Sequence, residues 1–154
     1  MSSSNTSFNE LDDIYQDIIL DHYRRPRNKV NIPDPDLFSR GFNPFCGDEV
    51  TLMIKLATEN QIKTIAFTGQ GCSISQASAS ILTELIKGKP LKESMEISGI
   101  FRNLVKGLAI DDEDLDKLGE LEALKGVSKF PVRIKCALLP WSTLEDAISK
   151  NKDL

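Results

Sequence analysis

The sequence predicts an α+β fold, a small antiparallel sheet of about three strands with several helices packed on one side. Three observations point there. Val50, Leu52, Ile54 and Leu56 alternate with Thr51, Met53 and Lys55, and a second alternating run follows a short polar loop. Apolar residues recur at helical spacing before this pair and several times after it. The 154 residues contain no long linker and no internal repeat, so one domain spanning residues 7–150 is expected.

The elements can be justified in order. Residues 1–6 are rich in Ser and Asn and read as a disordered tail. Ser7 and Glu10 have capping-box spacing, and Leu11, Ile14, Tyr15 and Ile18 carry an amphipathic helix to about Tyr23, closed by Pro26. His22, the single histidine, reads as a surface or cap residue near the negative helix end, since no cysteine or carboxylate pair lies at ligand spacing beside it. An extended segment or edge strand is expected around residues 38–42. The strand of residues 50–56 comes next, then the loop Thr58–Gln61, then a returning strand through Ile65 and Phe67 that ends at Thr68. Cys72 opens a helix with a stripe of Ile74, Ala77, Ile81, Leu82 and Leu85, which Gly88 stops. Pro90 suits the first turn of a further helix, about Leu91 to Lys106. Asp111–Asp114 reads as a solvated acidic loop, and a short helix is expected at about Leu118–Lys125. The last helix starts near Pro131. Pro140 should kink it, or make it restart at the Ser142/Glu145 capping box.

Composition excludes several functions. Hydrophobic residues make up 40% and charged residues 27%, an ordinary globular balance. Net charge is −4 with no basic stripe, which argues against nucleic acid as a partner. No apolar run nears the ~20 residues that span a bilayer, so no membrane association is expected. Met1–Thr6 lacks the basic and apolar regions of a secretory leader. Three cysteines fit a disulfide framework badly and suit a reducing, cytoplasmic setting.

Each cysteine lies at the edge of a different expected element: Cys46 in Phe45-Cys46-Gly47-Asp48, Cys72 after Gly69-Gln70-Gly71, and Cys136 after Arg133-Ile134-Lys135. Cys46 precedes the outgoing strand and Cys72 follows the returning one, so a hairpin brings both to one end. Zinc takes four thiolate, imidazole or carboxylate ligands, and Asp48, two residues after Cys46, is the natural fourth donor beside three thiols. Each cysteine alone reads as a small buried apolar residue. The three together read as a zinc site of Cys46, Asp48, Cys72 and Cys136. Cys72, at a helix N-terminus, has a lowered thiol pKa in this reading. Arg133, one turn before Cys136, either pairs with a thiolate or a partner's acidic group, or is a solvated helix charge. Lys135 reads as plain surface.

The set Asp21–Asn28, Asn43–Asp48, Gly69–Ser80 and Gly126–Cys136 resembles the SufU branch of the IscU/NifU N-terminal family of iron–sulfur cluster assembly proteins. The resemblance covers nearly the whole chain, and it implies a SufE/NifU-like fold. The general scaffold branch carries histidine immediately before the third cysteine, where this chain has Lys135. The segment of residues 108–124 also resembles the SufU branch. The resemblance implies a zinc-bound relay that takes sulfur from a SufS-type, pyridoxal phosphate-dependent cysteine desulfurase and passes it to a downstream scaffold or acceptor protein. Such a relay would act with the desulfurase rather than as a stand-alone enzyme. Cys46 would accept the sulfur after a partner side chain replaces it on zinc. The alternatives are a scaffold on which the same residues build a [2Fe–2S] cluster, and an interaction protein with a purely structural zinc.

Overall fold

The computed structural model describes residues 15–150. The expected tail and the Ser7/Glu10 box lie outside the described residues. Helix α1 is described over residues 15–24. Strands β1 (Leu37–Asn43), β2 (Asp48–Leu56) and β3 (Ile62–Gln70) form an antiparallel sheet in the order β1-β2-β3. Helices α2 (Ser73–Ile86), α3 (Leu91–Val105), α4 (Asp112–Leu118) and α5 (Pro131–Ser149) follow, with a 3-10 stretch, Gly119–Lys129, between α4 and α5.

The alternation in β2 does what its period requires. Val50, Leu52 and Ile54 are buried on the face that also carries Leu37 of β1 and Ile65 and Phe67 of β3. Helices α2 and α5 cover that face. The opposite face leaves Phe38 and Phe42 exposed. The antiparallel register pairs Asn43 with Asp48 and Glu49 with Gln70, so the β1–β2 turn and the exit of β3 lie at one end of the sheet.

Five expectations about the elements need correction. Helix α2 is buried nearly all round, Ser75 through Thr83 without a break, and so is a central helix and not an amphipathic one. Its small residues let α5 approach closely, and Ser78 donates to the Ala137 carbonyl at 2.7 Å. The acidic run is helical: Asp111 caps α4 by accepting the Asp114 N–H, and Asp112, Glu113 and Asp114 fill the first turn, where the dipole favours them. The short helix expected at about Leu118–Lys125 is instead the end of α4 followed by the 3-10 stretch. Helix α5 continues through Pro140 without a restart. Pro140 and its neighbours Cys136–Trp141 are buried, and packing against β1, β2 and α2 outweighs the ~3 kcal/mol that an interior proline costs. The returning strand also runs two residues past Thr68. Among the described residues no helix is long and apolar enough to cross a membrane.

Candidate metal centre

The site is built around the four-residue connection between β1 and β2. Asn43 and Asp48 face each other across it, and Gly47 takes a left-handed φ of 68° that closes the turn. The Asn43 Oδ1 accepts the Phe45 N–H at 3.2 Å, an Asx-type clamp on the turn. Cys46 is therefore held half-buried beside the first residue of β2.

Asp48 is fully buried. Its Oδ1 accepts the Cys72 N–H at 2.7 Å, and its Oδ2 lies 3.7 Å from the Cys72 Sγ. Cys72 is the N-cap of α2, with its sulfur also 3.9 Å from Ser75 Oγ. A side chain at position 71 would collide with Asp48 Oδ1 and Ser75 Oγ, so only glycine lets β3 turn into α2 this close to the carboxylate.

Cys136 arrives from α5 and is fully buried. Its Sγ lies 3.2 Å from the Cys46 Sγ and 3.8 Å from the Asn43 Nδ2. Ligand atoms of Cys46, Asp48 and Cys136 all lie within 4.8 Å of one another. Cys72 stands just outside this tight trio and joins it through Asp48. Burial raises the Cys136 thiol pKa well above the ordinary range, and hydrogen bonds that the thiol donates to Cys46 and Asp48 add to it. A buried carboxylate and a buried thiol with so little cationic compensation are what a bound cation would relieve, and the three-sulfur, one-carboxylate donor set suits zinc.

Arg133 is exposed on α5 and faces the sulfurs. The Cys72 sulfur beside it, and then Cys136, raise its pKa against a small opposing effect of burial. Lys135 does more than sit on the surface: its Nζ lies 4.7 Å from the centre of the Phe45 ring, so a cation–π contact braces the Cys46 turn from α5.

His22 is no surface or cap residue. It is 1% exposed and hydrogen-bonded at both ring nitrogens. Ser80 Oγ accepts the Arg27 N–H at 2.9 Å and lies 2.8 Å from His22 Nδ1, while His22 Nε2 is 3.0 Å from Glu120 Oε1. The histidine fastens α1 to α2 and to the 3-10 stretch. The sequence reading missed it because helical periodicity says nothing of distant partners. It also missed Asn43, although an Asn immediately before Pro44 and two residues before Phe45 is a local turn signal.

The NifU-like N-terminal domain matches residues 14–150. The chain is 46% identical over 147 residues to the zinc-dependent sulfurtransferase SufU of Bacillus subtilis (strain 168), covering 95% of this chain and 97% of that one. It is 37% identical over 145 residues to the iron–sulfur cluster assembly scaffold protein IscU of Streptococcus pyogenes serotype M1, covering 94% and 89%. A crystal structure from Fervidobacterium islandicum AW-1, described as a candidate cluster assembly scaffold protein for the SUF system, superposes with a TM-score of 0.79 at 35% identity, covering 85% and 93%. With its motifs, its sheet and its thiol-bearing end all in agreement with this match, the chain belongs to the NifU-like N-terminal domain family.

Proposed function

We propose that this protein is a zinc-dependent sulfur acceptor that works with a pyridoxal phosphate-dependent cysteine desulfurase in iron–sulfur cluster biogenesis. The observation that carries the reading is the meeting of Cys46, Asp48 and Cys136 ligand atoms within 4.8 Å. The Bacillus relative's name, a zinc-dependent sulfurtransferase, supports it. Cys46, Asp48, Cys72 and Cys136 would hold the metal. Bound zinc would keep the thiols ionised without redox chemistry of its own.

The accepting sulfur is Cys46. Cys136 is fully buried, and Cys72, half-buried like Cys46, has its sulfur against Asp48 and Ser75 at the helix cap, whereas Cys46 sits in a turn between exposed Phe45 and exposed Gly47. The Cys46 thiolate attacks the outer sulfur of the partner's persulfide. The partner's S–S bond breaks, its electron pair leaves with the partner's cysteine sulfur, and a new S–S bond forms on Cys46, so neither oxidant nor reductant is consumed. Arg133 stabilises the anionic sulfurs it faces. Phe45, 76% exposed, and Phe130, 60% exposed, flank the thiols with apolar surface that suits a docking protein. Three free thiols support a reducing, cytoplasmic setting.

The test is to mix the zinc-bearing protein with a desulfurase and cysteine, then find the persulfide by peptide mass. It is expected on Cys46. Cys46→Ala should abolish it while the fold survives. Absence of any persulfide on the native protein would refute the proposal. The second reading, a scaffold for a [2Fe–2S] cluster, draws on the three-thiol donor set and on the name of the Streptococcus relative. A transferable cluster after anaerobic reconstitution, with no stimulation of the desulfurase, would favour it.

A further inference from the structure

Proximity alone does not tell Cys46 from Cys136, because their sulfurs lie 3.2 Å apart. One buried side chain touches both segments. Asn43 is 6% exposed, ends β1, and uses the two ends of its amide on two of the three thiol-bearing segments, the Cys46 turn and α5. Its Oδ1 takes the Phe45 N–H and holds the Cys46 turn. Its Nδ2 donates to the Cys136 Sγ. We propose that Asn43 is a positioning residue that selects Cys46 over Cys136 as the sulfur-accepting thiol.

The physical reason has two parts. A hydrogen bond donated to a sulfur occupies a lone pair and lowers that sulfur's nucleophilicity, so the Nδ2–H···S contact blunts Cys136. The Oδ1 clamp fixes the turn so that the Cys46 sulfur stays at the half-exposed mouth, and in the zinc-bearing protein, where Cys136 has no S–H left to donate to it, Cys46 receives no such hydrogen bond from either neighbour. The selected step is the balanced exchange described above: the Cys46–S bond forms as the donor's S–S bond breaks, and the leaving electron pair departs on the donor's cysteine. The same attack from Cys136 would balance equally well, so selection between them is a matter of geometry and hydrogen bonding.

The inference rests on the sulfur-acceptor reading, and the experiment separates the two. Native, Asn43→Ala and Asn43→Ser proteins, full chain and zinc-bearing, are each mixed with desulfurase and cysteine, and the persulfide is located by peptide mass. The ratio of label on Cys46 to label on Cys136 should fall about tenfold in both variants, the factor that one hydrogen bond to a charged acceptor is worth. In parallel, the chelated proteins are alkylated with iodoacetamide. The Cys46 to Cys136 ratio should fall in the same direction, at a melting temperature close to that of the native chelated protein, which a merely structural role would not produce. If Asn43→Ala does not fold, Asn43→Ser carries the comparison. Native ratios in a folded variant, in both measurements, would overturn the inference. A native protein that takes up no persulfide would overturn the sulfur-acceptor reading instead, and the alkylation ratio would still decide the role of Asn43.

Discussion

Asp48 has two duties that pull in different directions. It accepts the Cys72 N–H at 2.7 Å and so ties the sheet to the start of α2. It is also a fully buried carboxylate, which is costly without a cation. The two duties make a prediction with two signs. In zinc-bearing protein, Asp48→Ala should weaken metal binding by more than the ~10–100-fold typical of losing a mere supporting partner. In chelated protein the same change should move stability by no more than about 1 kcal/mol, because the orphaned Cys72 N–H is offset by relief of the buried charge. Chelator competition and calorimetry read the two effects. An equal loss of stability with and without metal would argue against Asp48 as a ligand. The turn that sets this up was readable locally: Asn before Pro, then Cys-Gly-Asp, announces a tight turn with two donors on it. The burial of Asp48 was not readable, since it depends on α2 arriving overhead.

Helix α5 shows how one element serves both core and site. Its first two turns carry Arg133, Lys135 and Cys136, and its remainder packs under β1. Gly41 of β1 has no room for a side chain, because a Cβ there would overlap Thr143 Oγ1 of α5. Two residues before it, buried Ser39 donates to the Asp146 carboxylate, which Lys150 also reaches at 3.1 Å. These bonds, Ser39 first and Lys150 next, hold the Asp146 pKa below its ordinary value of 3.8. A depressed carboxylate pKa favours folding at pH values above the unfolded value, and that contribution is lost as pH falls through the folded one. The urea midpoint of chelated Asp146→Asn should therefore lie below that of chelated native protein at pH 7. The gap should narrow once the pH drops below the ordinary carboxylate value of 3.8 and vanish only below the lower folded value, where the native carboxylate is protonated as well. A gap that persists unchanged at pH 3 would show that charge is not what Asp146 contributes. Element identity in α5 followed from its apolar spacing. Its continuity through Pro140 did not, because a local rule weighs the missing N–H and cannot weigh the sheet and helix that bury the proline.

At the scale of the molecule, the four proposed ligands come from three places: the β1–β2 turn, the cap of α2 and the second turn of α5. A cation there would fasten the sheet to two helices that otherwise meet through the apolar core around Phe101 and Trp141, whose rings are 5.6 Å apart. Binding to the folded state alone stabilises it by about 4 kcal/mol when free zinc is ~1,000 times the dissociation constant. For a domain of this size that corresponds to about 10 °C in melting temperature. Treatment with a strong chelator should lower the melting temperature by that amount, and added zinc should restore it. A melting temperature indifferent to chelation would contradict a metal that joins these elements.

The sequence by itself determined what is encoded at short range. The three strands, the longer helical stretches and the placement of Cys46 and Cys72 at element edges follow from periods of two and of about 3.6 residues and from turn-forming neighbours, whereas Cys136 lies inside α5 and the acidic run proved helical. Even the convergence of Cys46 and Cys72 on one end followed, because an antiparallel hairpin has only one way to return. What the tertiary structure decided is everything that depends on a surface opposite. Examples are the burial of His22 between Ser80 and Glu120, the amide of Asn43 reaching the Cys136 sulfur, and the approach of Cys136 from a helix 90 residues after Cys46. Such contacts arise from packing between distant segments, and no local pattern of side chains carries the identity of the partner across the core.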